Sequence, residues 1–137
     1  MKFSGSCLCG GVEYSGETDG GGGHCYCADC RKSSGTGHSS HLIAPEGDFD
    51  YSGQLNFYAS PADSGNVVNR RFCPSCGSPV FSTNSGYPGL VFVRASTLDD
   101  ARVFSPQVVV YASRAPAWDP VAEGLPTFDE MPPFGGE

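Results

Sequence analysis

Short apolar stretches alternate with turn residues along most of the chain. The stretches are rich in Val, Phe and Tyr and are bounded by Gly, Ser, Asn and Pro, which is typical of short β-strands. In chain order, the predicted strands have the sequences GGVEYSG, SSHLIA, FDYSG, LNFYAS, NVVNRRFC, PVFSTN, LVFVRAS and RVFSPQVVVYAS. The pattern therefore predicts a mostly-β protein.

Helical spacing of apolar residues is scarce, and only one short helix is predicted. It covers the sequence ADCRKSSG, residues 28–35, and Gly35 is its stop signal. The glycine-rich run TDGGGG, residues 18–23, is predicted to be a flexible loop that follows a first hairpin.

The C-terminal part of the chain is rich in proline. We expect it to pack partly through Trp118, Leu125 and Phe128, and we expect the last few residues to be disordered. The sequence shows no internal repeat and no composition shift that would mark a second domain. Residues 1–137 are therefore predicted to form one domain.

The charge balance argues against two classes of partner. The chain has 137 residues, a net charge of −7 and only eight Lys and Arg residues spread along it. Proteins that bind nucleic acid or anionic membrane surfaces usually carry a basic patch, so neither partner is expected. The N-terminal sequence MKFSGSCLCGG lacks the apolar segment of a signal peptide, and no apolar run approaches the length of a membrane span. We interpret the protein as cytoplasmic.

Cysteine is the most informative residue type in this sequence. A reducing compartment favours metal ligation over disulfides, and the odd number of cysteines agrees with this. The C-x-C spacing is also too short for an unstrained disulfide. The seven cysteines fall into an N-terminal pair, a central group of three and a later pair: Cys7 and Cys9; Cys25, Cys27 and Cys30; Cys73 and Cys76.

The two outer pairs predict one closed zinc site. CPSCG has the form of a zinc knuckle, in which Gly77 permits a left-handed backbone, and CLCGG forms a second turn. Four thiolates give a zinc site a charge of about −2, which Arg70 and Arg71 are placed to offset. The predicted ligands of this structural site are Cys7, Cys9, Cys73 and Cys76.

The central group predicts a different kind of site. Cys25, Cys27 and Cys30 can converge on one metal ion and leave one coordination position open, as catalytic zinc sites do. Zinc deprotonates a bound thiol, so a substrate thiol is an attractive occupant of that position. We therefore predict that these three cysteines are both metal ligands and catalytic residues.

Other interpretations of the central group stay open. His24, His38 or His41 can serve as a fourth ligand and close the site, although His24 lies directly beside a cysteine ligand and is poorly placed. The group can also be metal-free, with a redox thiol in the C-x-x-C spacing of Cys27 and Cys30. No βαβ pattern surrounds that spacing, which weakens the redox interpretation.

The residues after Cys30 fit a site for an anionic group of a ligand. A basic pair is followed by hydroxyl groups and backbone amides at the start or end of a short helix. A solvent-exposed basic pair is the plainer interpretation from composition alone. The candidate ligand-binding residues are Arg31, Lys32, Ser33, Ser34 and Gly35.

These motifs together resemble those of the glutathione-dependent formaldehyde-activating family, also called the GFA or CENP-V-like domain. The matching segments GSCLCGGVEY, HCYCADCRKSSG, RRFCPSCGSPVF, ASTLDD and PAW…GLPTFDE occur in family order and span nearly the whole chain. The resemblance implies an Mss4-like β-tent of short antiparallel strands organised around two zinc ions. It also implies that the outer pairs hold a structural zinc and the central group holds a second zinc linked to glutathione.

The resemblance implies a carbon–sulfur lyase activity, the condensation of formaldehyde with glutathione to S-hydroxymethylglutathione. The leading hypothesis is an enzyme that activates a small-molecule thiol at the central cysteines, with His38 a candidate base by its position in the sequence alone. Two alternatives are a glutathione- or zinc-binding module without turnover and a protein in which both zinc ions are architectural. Exposed strands in a small β domain allow either a monomer or a homodimer.

Overall fold

The computed structural model describes residues 1–132, and it is built mainly of short strands. The prediction of a mostly-β protein is confirmed, and small sheets that carry cysteine clusters are consistent with the Mss4-like fold. The strands are β1 (Lys2–Ser6), β2 (Glu13–Glu17), β3 (Gly22–Cys25), β4 (Ser39–Pro45), β5 (Phe49–Ser52), β6 (Asn56–Pro61), β7 (Val67–Phe72), β8 (Pro79–Asn84), β9 (Leu90–Arg94) and β10 (Val108–Val110). One α-helix, α1 (Ala28–Ser34), and 3₁₀ turns at Glu46–Asp48, Ala95–Thr97, Ala101–Val103 and Ala112–Arg114 complete the elements.

The strands form two sheets. The smaller sheet has the order β1-β2-β5, and the larger has the order β10-β3-β4-β9-β8-β7-β6. Neighbouring strands are antiparallel except for β10 and β3, which are parallel. Within residues 1–132, no helix has the length and apolar character that crossing a membrane requires.

The hydrophobic core lies between the two sheets. The small sheet supplies aromatic rings, with Phe3 and Tyr14 stacked around Phe49 at centroid distances of 6.3 and 5.7 Å. The large sheet supplies aliphatic side chains, of which Leu42 and Val93 are fully buried. Alternating burial along β1 and β2 turns one face of each strand inward, as expected for a half-buried sheet.

The glycine-rich run is not a simple loop, and this corrects the prediction for residues 18–23. Its last two glycines begin β3, which lies between β4 and β10. A Cβ atom at Gly22 would collide with the carbonyl oxygen of His41 on β4. Glycine is therefore used here for close strand approach, a role that resembles a loop signal in sequence. Strand β1 was likewise absent from the predicted strands.

The expected packing of the C-terminal part is wrong for its largest side chain. Trp118 is 67% exposed and Phe128 is 39% exposed, while Leu125 is half-buried. The segment is held instead by backbone hydrogen bonds to β10, such as Phe128 N–H to Val109 O at 2.9 Å. The predicted disorder of the last few residues lies outside the described residues.

Strand order brings several chain segments together at one end of the large sheet. Strands β3 and β9 end there, at Cys25 and Arg94, while β4 begins there at Ser39. The register confirms this, since Cys25 pairs with Ser39 and Arg94 pairs with His41. Residues that are distant in sequence therefore surround the central cysteines.

Two cysteine clusters and an adjoining pocket

The outer cysteines form one cluster from two tight turns, and we call it the four-cysteine cluster: Cys7, Cys9, Cys73 and Cys76. The first turn follows β1 and is closed by the hydrogen bond from Cys7 N–H to Val12 O at 3.0 Å. The second follows β7 and is closed by the equivalent bond from Cys73 N–H to Ser78 O at 3.0 Å. Two similar turns therefore face each other, each presenting two thiols.

The sulfur positions of the four-cysteine cluster fit a tetrahedral metal. All four Sγ atoms lie within 4.8 Å of one another. The Sγ atoms of Cys7 and Cys9 are 3.6 Å apart, and those of Cys9 and Cys73 are 3.8 Å apart. A tetrahedron with zinc–sulfur bonds of about 2.3 Å has sulfur–sulfur edges of about 3.8 Å, so zinc fits without rearrangement.

Hydrogen bonds stabilise thiolate character at Cys7 and Cys76 in this cluster, whereas the neighbouring thiols raise the pKa of Cys9. Val12 N–H donates to Cys7 Sγ at 3.3 Å. The Ser78 hydroxyl lies 3.2 Å from Cys76 Sγ. Bonds from the Ser78 side chain and backbone lower the pKa of the Cys76 thiol to about 5. Deprotonated thiols are the metal-binding form, so the cluster is prepared for a cation.

Gly77 and two arginines lie close to the later cysteine pair in sequence, and the structure shows their conformation and contacts. Gly77 has φ 77°, the left-handed conformation that the knuckle requires. The expectation that Arg70 and Arg71 offset the charge of this site stays a prediction, and the structure shows other contacts for both side chains. Arg70 donates to the Ser60 hydroxyl at 3.1 Å, and the Arg71 guanidinium lies over the ring of Phe57 at 5.4 Å.

The central cysteines form the second cluster, which we call the three-cysteine cluster: Cys25, Cys27 and Cys30. Cys25 ends β3 and Cys30 lies in the first turn of α1. Cys27 is the N-cap of α1, and its Sγ accepts the Cys30 N–H at 3.2 Å. The predicted stop is confirmed, since Gly35 is in the left-handed conformation and its N–H bonds to Arg31 O. The start of the helix therefore curls three sulfurs towards one point.

None of the three histidines completes this cluster. In the part of the chain that the structure describes, no His, Asp or Glu ligand atom lies within 4.8 Å of all three sulfurs. His41 comes nearest, with Nε2 3.8 Å from Cys30 Sγ, but the same nitrogen is 2.6 Å from the Ser39 hydroxyl. His24 contacts Ser40 instead, with Nδ1 2.8 Å from its hydroxyl.

A buried arginine lies beside the three-cysteine cluster. Arg94 is 4% exposed, and its Nη2 donates to the Ser33 hydroxyl at 2.9 Å. Desolvation lowers the pKa of Arg94, while the charges of Cys30, Cys25 and Cys27 act in the opposite direction. A metal ion with three thiolates has a net charge of about −1, which a buried guanidinium can compensate.

Thiolate character in this cluster is concentrated on Cys30. Hydrogen bonds from the thiols of Cys25 and Cys27 and from Ser39, together with the charge of Arg94, hold the pKa of Cys30 well below its usual value. The same thiol–thiol contacts raise the pKa of Cys25. Three close thiols with a cation nearby suit the binding of a divalent metal ion, which would take the place of the protons that the thiols share.

A pocket of about 370 Å³ adjoins the three-cysteine cluster at the end of the large sheet. Its wall meets the cluster at Ser39, which contacts His41 and Cys30, and at Arg94. Hydroxyl groups, two imidazoles and one guanidinium give the pocket a polar lining. The lining residues are His24, Ser34, Thr36, His38, Ser39, Ser40, Pro79, Arg94, Ala95, Ser96, Ala101, Phe104 and Pro106.

The predicted ligand-binding residues divide between this pocket and the surface. Ser34 lines the pocket, and Ser33 reaches it through its hydrogen bond with Arg94. Arg31, Lys32 and Gly35 are absent from the described lining, and the Lys32 side chain is exposed. Their role in ligand binding therefore stays a prediction.

Sequence reasoning did not identify Arg94, Asp119 or Tyr111 as site residues. Arg94 is the one charged residue in the apolar run LVFVRAS, a signal that was available. Asp119 lies in the C-terminal part and contacts His38, with Nδ1 to Oδ2 at 2.6 Å. Tyr111 has φ 56°, a strained conformation for a non-glycine residue, directly after the strand that pairs with Cys25.

Comparisons with known proteins agree with the resemblance seen in the sequence. The profile of a family described as glutathione-dependent formaldehyde-activating enzyme matches residues 2–114. Comparison with curated proteins gave no match. Among solved structures, the chain is similar to a Rhodobacter sphaeroides protein studied by the Northeast Structural Genomics consortium. The identity is 22%, the TM-score is 0.58, and the alignment covers 75% of this chain and 97% of that one, which supports the fold alone.

Proposed function

Because the chain belongs to the glutathione-dependent formaldehyde-activating family, we propose that it is a zinc-dependent enzyme of the carbon–sulfur lyase type. Its reaction joins the thiol of glutathione, or of a similar small molecule, to the carbon of formaldehyde. The thiol loses its proton, a carbon–sulfur bond forms, and the carbonyl oxygen gains a proton to give a hydroxymethyl thioether. The same site catalyses the reverse cleavage.

One observation supports this proposal most strongly. Three thiols converge on one point, and a pocket lies next to them. A metal site with three protein ligands leaves room for an exogenous ligand, whereas a site with four is closed. The three sulfurs lie within 4.8 Å of one another, and a pocket of about 370 Å³, whose described lining does not include the three cysteines, meets their surroundings at Ser39 and Arg94. A tripeptide-sized thiol can enter such a pocket by one end.

The proposed metal ions have different tasks. Zinc at the four-cysteine cluster stabilises the fold. Zinc at Cys25, Cys27 and Cys30 would supply a positive charge that lowers the pKa of a nearby thiol. Both donor sets consist of thiols with sulfur spacing that suits a divalent metal.

The pocket residues have the chemistry to hold the rest of a thiol substrate. Glutathione carries two carboxylates, and the guanidinium of Arg94 is the buried cation of the described pocket lining. The hydroxyls of Ser34 and Thr36 can donate hydrogen bonds from the helix end. The half-buried Arg31 and the exposed Lys32 lie outside the described pocket lining and would attract an anionic substrate from solution rather than bind it inside.

Native mass spectrometry with and without glutathione is the first test. We expect two zinc ions per chain without glutathione and a zinc–glutathione adduct, or loss of one zinc, with it. The Cys27→Ser variant should retain its fold, because serine is a good N-cap for α1, but it should lose the labile zinc and turnover. Retained turnover in Cys27→Ser would overturn the proposal.

Kinetics separate this function from its alternatives. The rate of hydroxymethyl thioether formation must be compared with the spontaneous reaction of thiols with formaldehyde, for example by exchange NMR with ¹³C-labelled formaldehyde. Saturable glutathione binding with no rate above the spontaneous one would identify a binding module. Two zinc ions indifferent to glutathione would identify an architectural protein.

A further inference from the structure

One residue of the pocket lining, His38, contacts a carboxylate outside that lining in a geometry that the proposed metal sites do not use. Nδ1 of His38 lies 2.6 Å from Oδ2 of Asp119, and the two side chains are only 26% and 20% exposed. His38 precedes β4, whereas Asp119 comes from the C-terminal part of the chain. A short, partly buried contact across such a sequence separation fixes the imidazole relative to the pocket.

The surrounding backbone is shaped to admit this contact. Gly37 is buried, and a Cβ atom there would collide with the side chain of Asp119. The Asp119 N–H bonds to Pro116 O at 3.0 Å, which forms a turn that presents the carboxylate. The ring of His38 lies against that of Tyr26 at 4.7 Å, so packing also limits its rotation.

The second ring nitrogen of His38 is available to a ligand. His38 lines the pocket, and in residues 1–132 its Nε2 has no hydrogen-bond partner. A carboxylate at Nδ1 favours the tautomer with the proton on Nδ1, which leaves Nε2 as a proton acceptor. The pocket wall therefore contains an imidazole that a carboxylate orients.

The other two histidines are less suitable for this role. Nδ1 of His24 faces Ser40, and burial followed by the charge of His38 lowers its pKa. Nε2 of His41 faces the Ser39 hydroxyl, and burial lowers the pKa of His41 to about 3. Neither has a carboxylate that orients the ring.

We infer that His38 is the residue that carries the proton in the proposed reaction and that Asp119 positions it. Nε2 of His38 accepts the proton of the substrate thiol as the carbon–sulfur bond forms. It then returns this proton to the carbonyl oxygen as the carbon–oxygen double bond becomes a single bond. No oxidant, reductant or further reactant is needed. This inference rests on the proposed function, since it concerns the same reaction.

Three variants separate proton transfer from a merely structural contact. In His38→Asn, the side-chain amide can still donate to Asp119 from about the position of Nδ1, but the base is absent. In Asp119→Asn, the contact distance can persist while the amide permits the opposite tautomer of His38. Asp63→Asn makes the same substitution in an exposed ion pair with Arg114, away from the described pocket lining, and serves as the control.

Two readouts are measured on all variants. The first is the rate above the spontaneous reaction as a function of pH, where the groups that face His38 are His24 on β3, Tyr26, Asp119 and the pocket cation Arg94. The second is ¹⁵N NMR of the histidine rings, which is tractable because the chain has only three histidines. It reports which nitrogen carries the proton and does not depend on turnover.

The expected results are specific. His38→Asn should lose about 10²–10⁴-fold in rate, the usual contribution of general acid–base catalysis, together with the limb of the pH profile due to histidine. Asp119→Asn should lose less and should shift the His38 proton from Nδ1 to Nε2, while Asp63→Asn should match the wild type.

Other results would overturn the inference. If the wild-type chain exceeds the spontaneous rate and His38→Asn changes neither the rate nor the pH profile, the role of His38 is refuted and the proposed function stands. A wild-type chain without any rate above the spontaneous reaction would refute both. If His38→Asn does not fold, the rate and tautomer of Asp119→Asn decide, and an unchanged rate with the proton on Nε2 in the wild type would refute the inference.

Discussion

The two cysteine clusters use the same ligand type but join the chain in different ways. The four-cysteine cluster connects turns that lie far apart in sequence, since Cys9 and Cys73 are separated by 64 residues. The three-cysteine cluster occupies one continuous segment from the end of β3 into α1. A metal that closes a long loop stabilises the fold strongly, whereas one bound within six residues contributes little chain ordering.

The groups next to the two clusters also differ. Ser78 contacts both turns of the four-cysteine cluster, through Leu8 N–H at 3.0 Å and Cys76 Sγ at 3.2 Å. The three-cysteine cluster instead has Arg94 and the pocket beside it. The four-cysteine cluster therefore lies between its two turns with Cys9 exposed, and the three-cysteine cluster faces groups that can interact with a ligand. Under the proposed function, ligand number and chain separation, rather than ligand type, distinguish the structural site from the reactive one.

The largest expected effect comes from removing a ligand of each cluster in turn. Zinc binding to small structural sites amounts to about 10–16 kcal/mol, comparable to the whole stability of a domain. Cys73→Ser should therefore fail to reach the native fold, whereas Cys27→Ser should retain it. Circular dichroism during thermal unfolding and metal analysis of the purified variants measure the outcome.

The comparison would break if both variants behaved alike. A folded Cys73→Ser chain with one zinc ion would show that the four-cysteine cluster is not what holds the two turns together. An unfolded Cys27→Ser chain would show that the three-cysteine cluster is architectural, since its N-cap function is retained by serine.

The sequence predicted which cysteines lie together in each turn because short spacings constrain local geometry. A C-x-x-C turn followed by Gly77 and the helix from Cys27 to Gly35 are determined by residues within a few positions of one another. The surroundings of the three-cysteine cluster were not predictable in this way. Arg94 reaches the pocket through strand order, and Asp119 reaches the lining residue His38 through the path of the C-terminal part, and no local pattern specifies either.

Glycine and tryptophan misled the sequence interpretation for different physical reasons. A run of glycines usually gives flexibility, but at Gly22 the missing side chain permits close approach of two strands. Tryptophan is usually buried, but Trp118 is exposed one residue before Asp119. In both cases the tertiary environment decides the role of the residue.

A second expected effect concerns the buried charge beside the three-cysteine cluster. Arg94→Gln removes the cation but keeps an amide that can reach the Ser33 hydroxyl. Loss of one partner from a buried charge pair costs about 3–5 kcal/mol, so thermal stability should fall clearly. The three-cysteine cluster should also release its metal faster to a chelator, while release from the four-cysteine cluster should be unchanged.

Arg102→Gln is the matched control for this variant. Arg102 pairs with Asp100 on the surface and its side chain is 91% exposed, so its loss should leave thermal stability close to that of the wild type. If both clusters of Arg94→Gln released their metal ions faster to the chelator, the arginine would support the whole fold. The specific electrostatic link with one cluster would then be refuted.

The smallest expected effect compares two serines that each support one cluster. Ser78 accepts the Leu8 N–H beside the four-cysteine cluster, and Ser33 accepts a guanidinium N–H of Arg94 beside the three-cysteine cluster. A single hydrogen bond contributes about 0.5–1.5 kcal/mol, and somewhat more when one partner is charged, so Ser78→Ala and Ser33→Ala should lower stability by similar small amounts.

Their effects on metal retention should nevertheless differ, because the two bonds support different ligand sets. Ser78→Ala should accelerate chelator-induced release from the four-cysteine cluster, since the Cys76 thiolate loses the contact that lowers its pKa. Ser33→Ala should accelerate release only from the three-cysteine cluster, since Arg94 is then less firmly held. Stopped-flow release into a chromogenic chelator resolves the two metals as separate phases. If each variant alters the same phase, the clusters are energetically coupled and their division into structural and reactive sites does not hold.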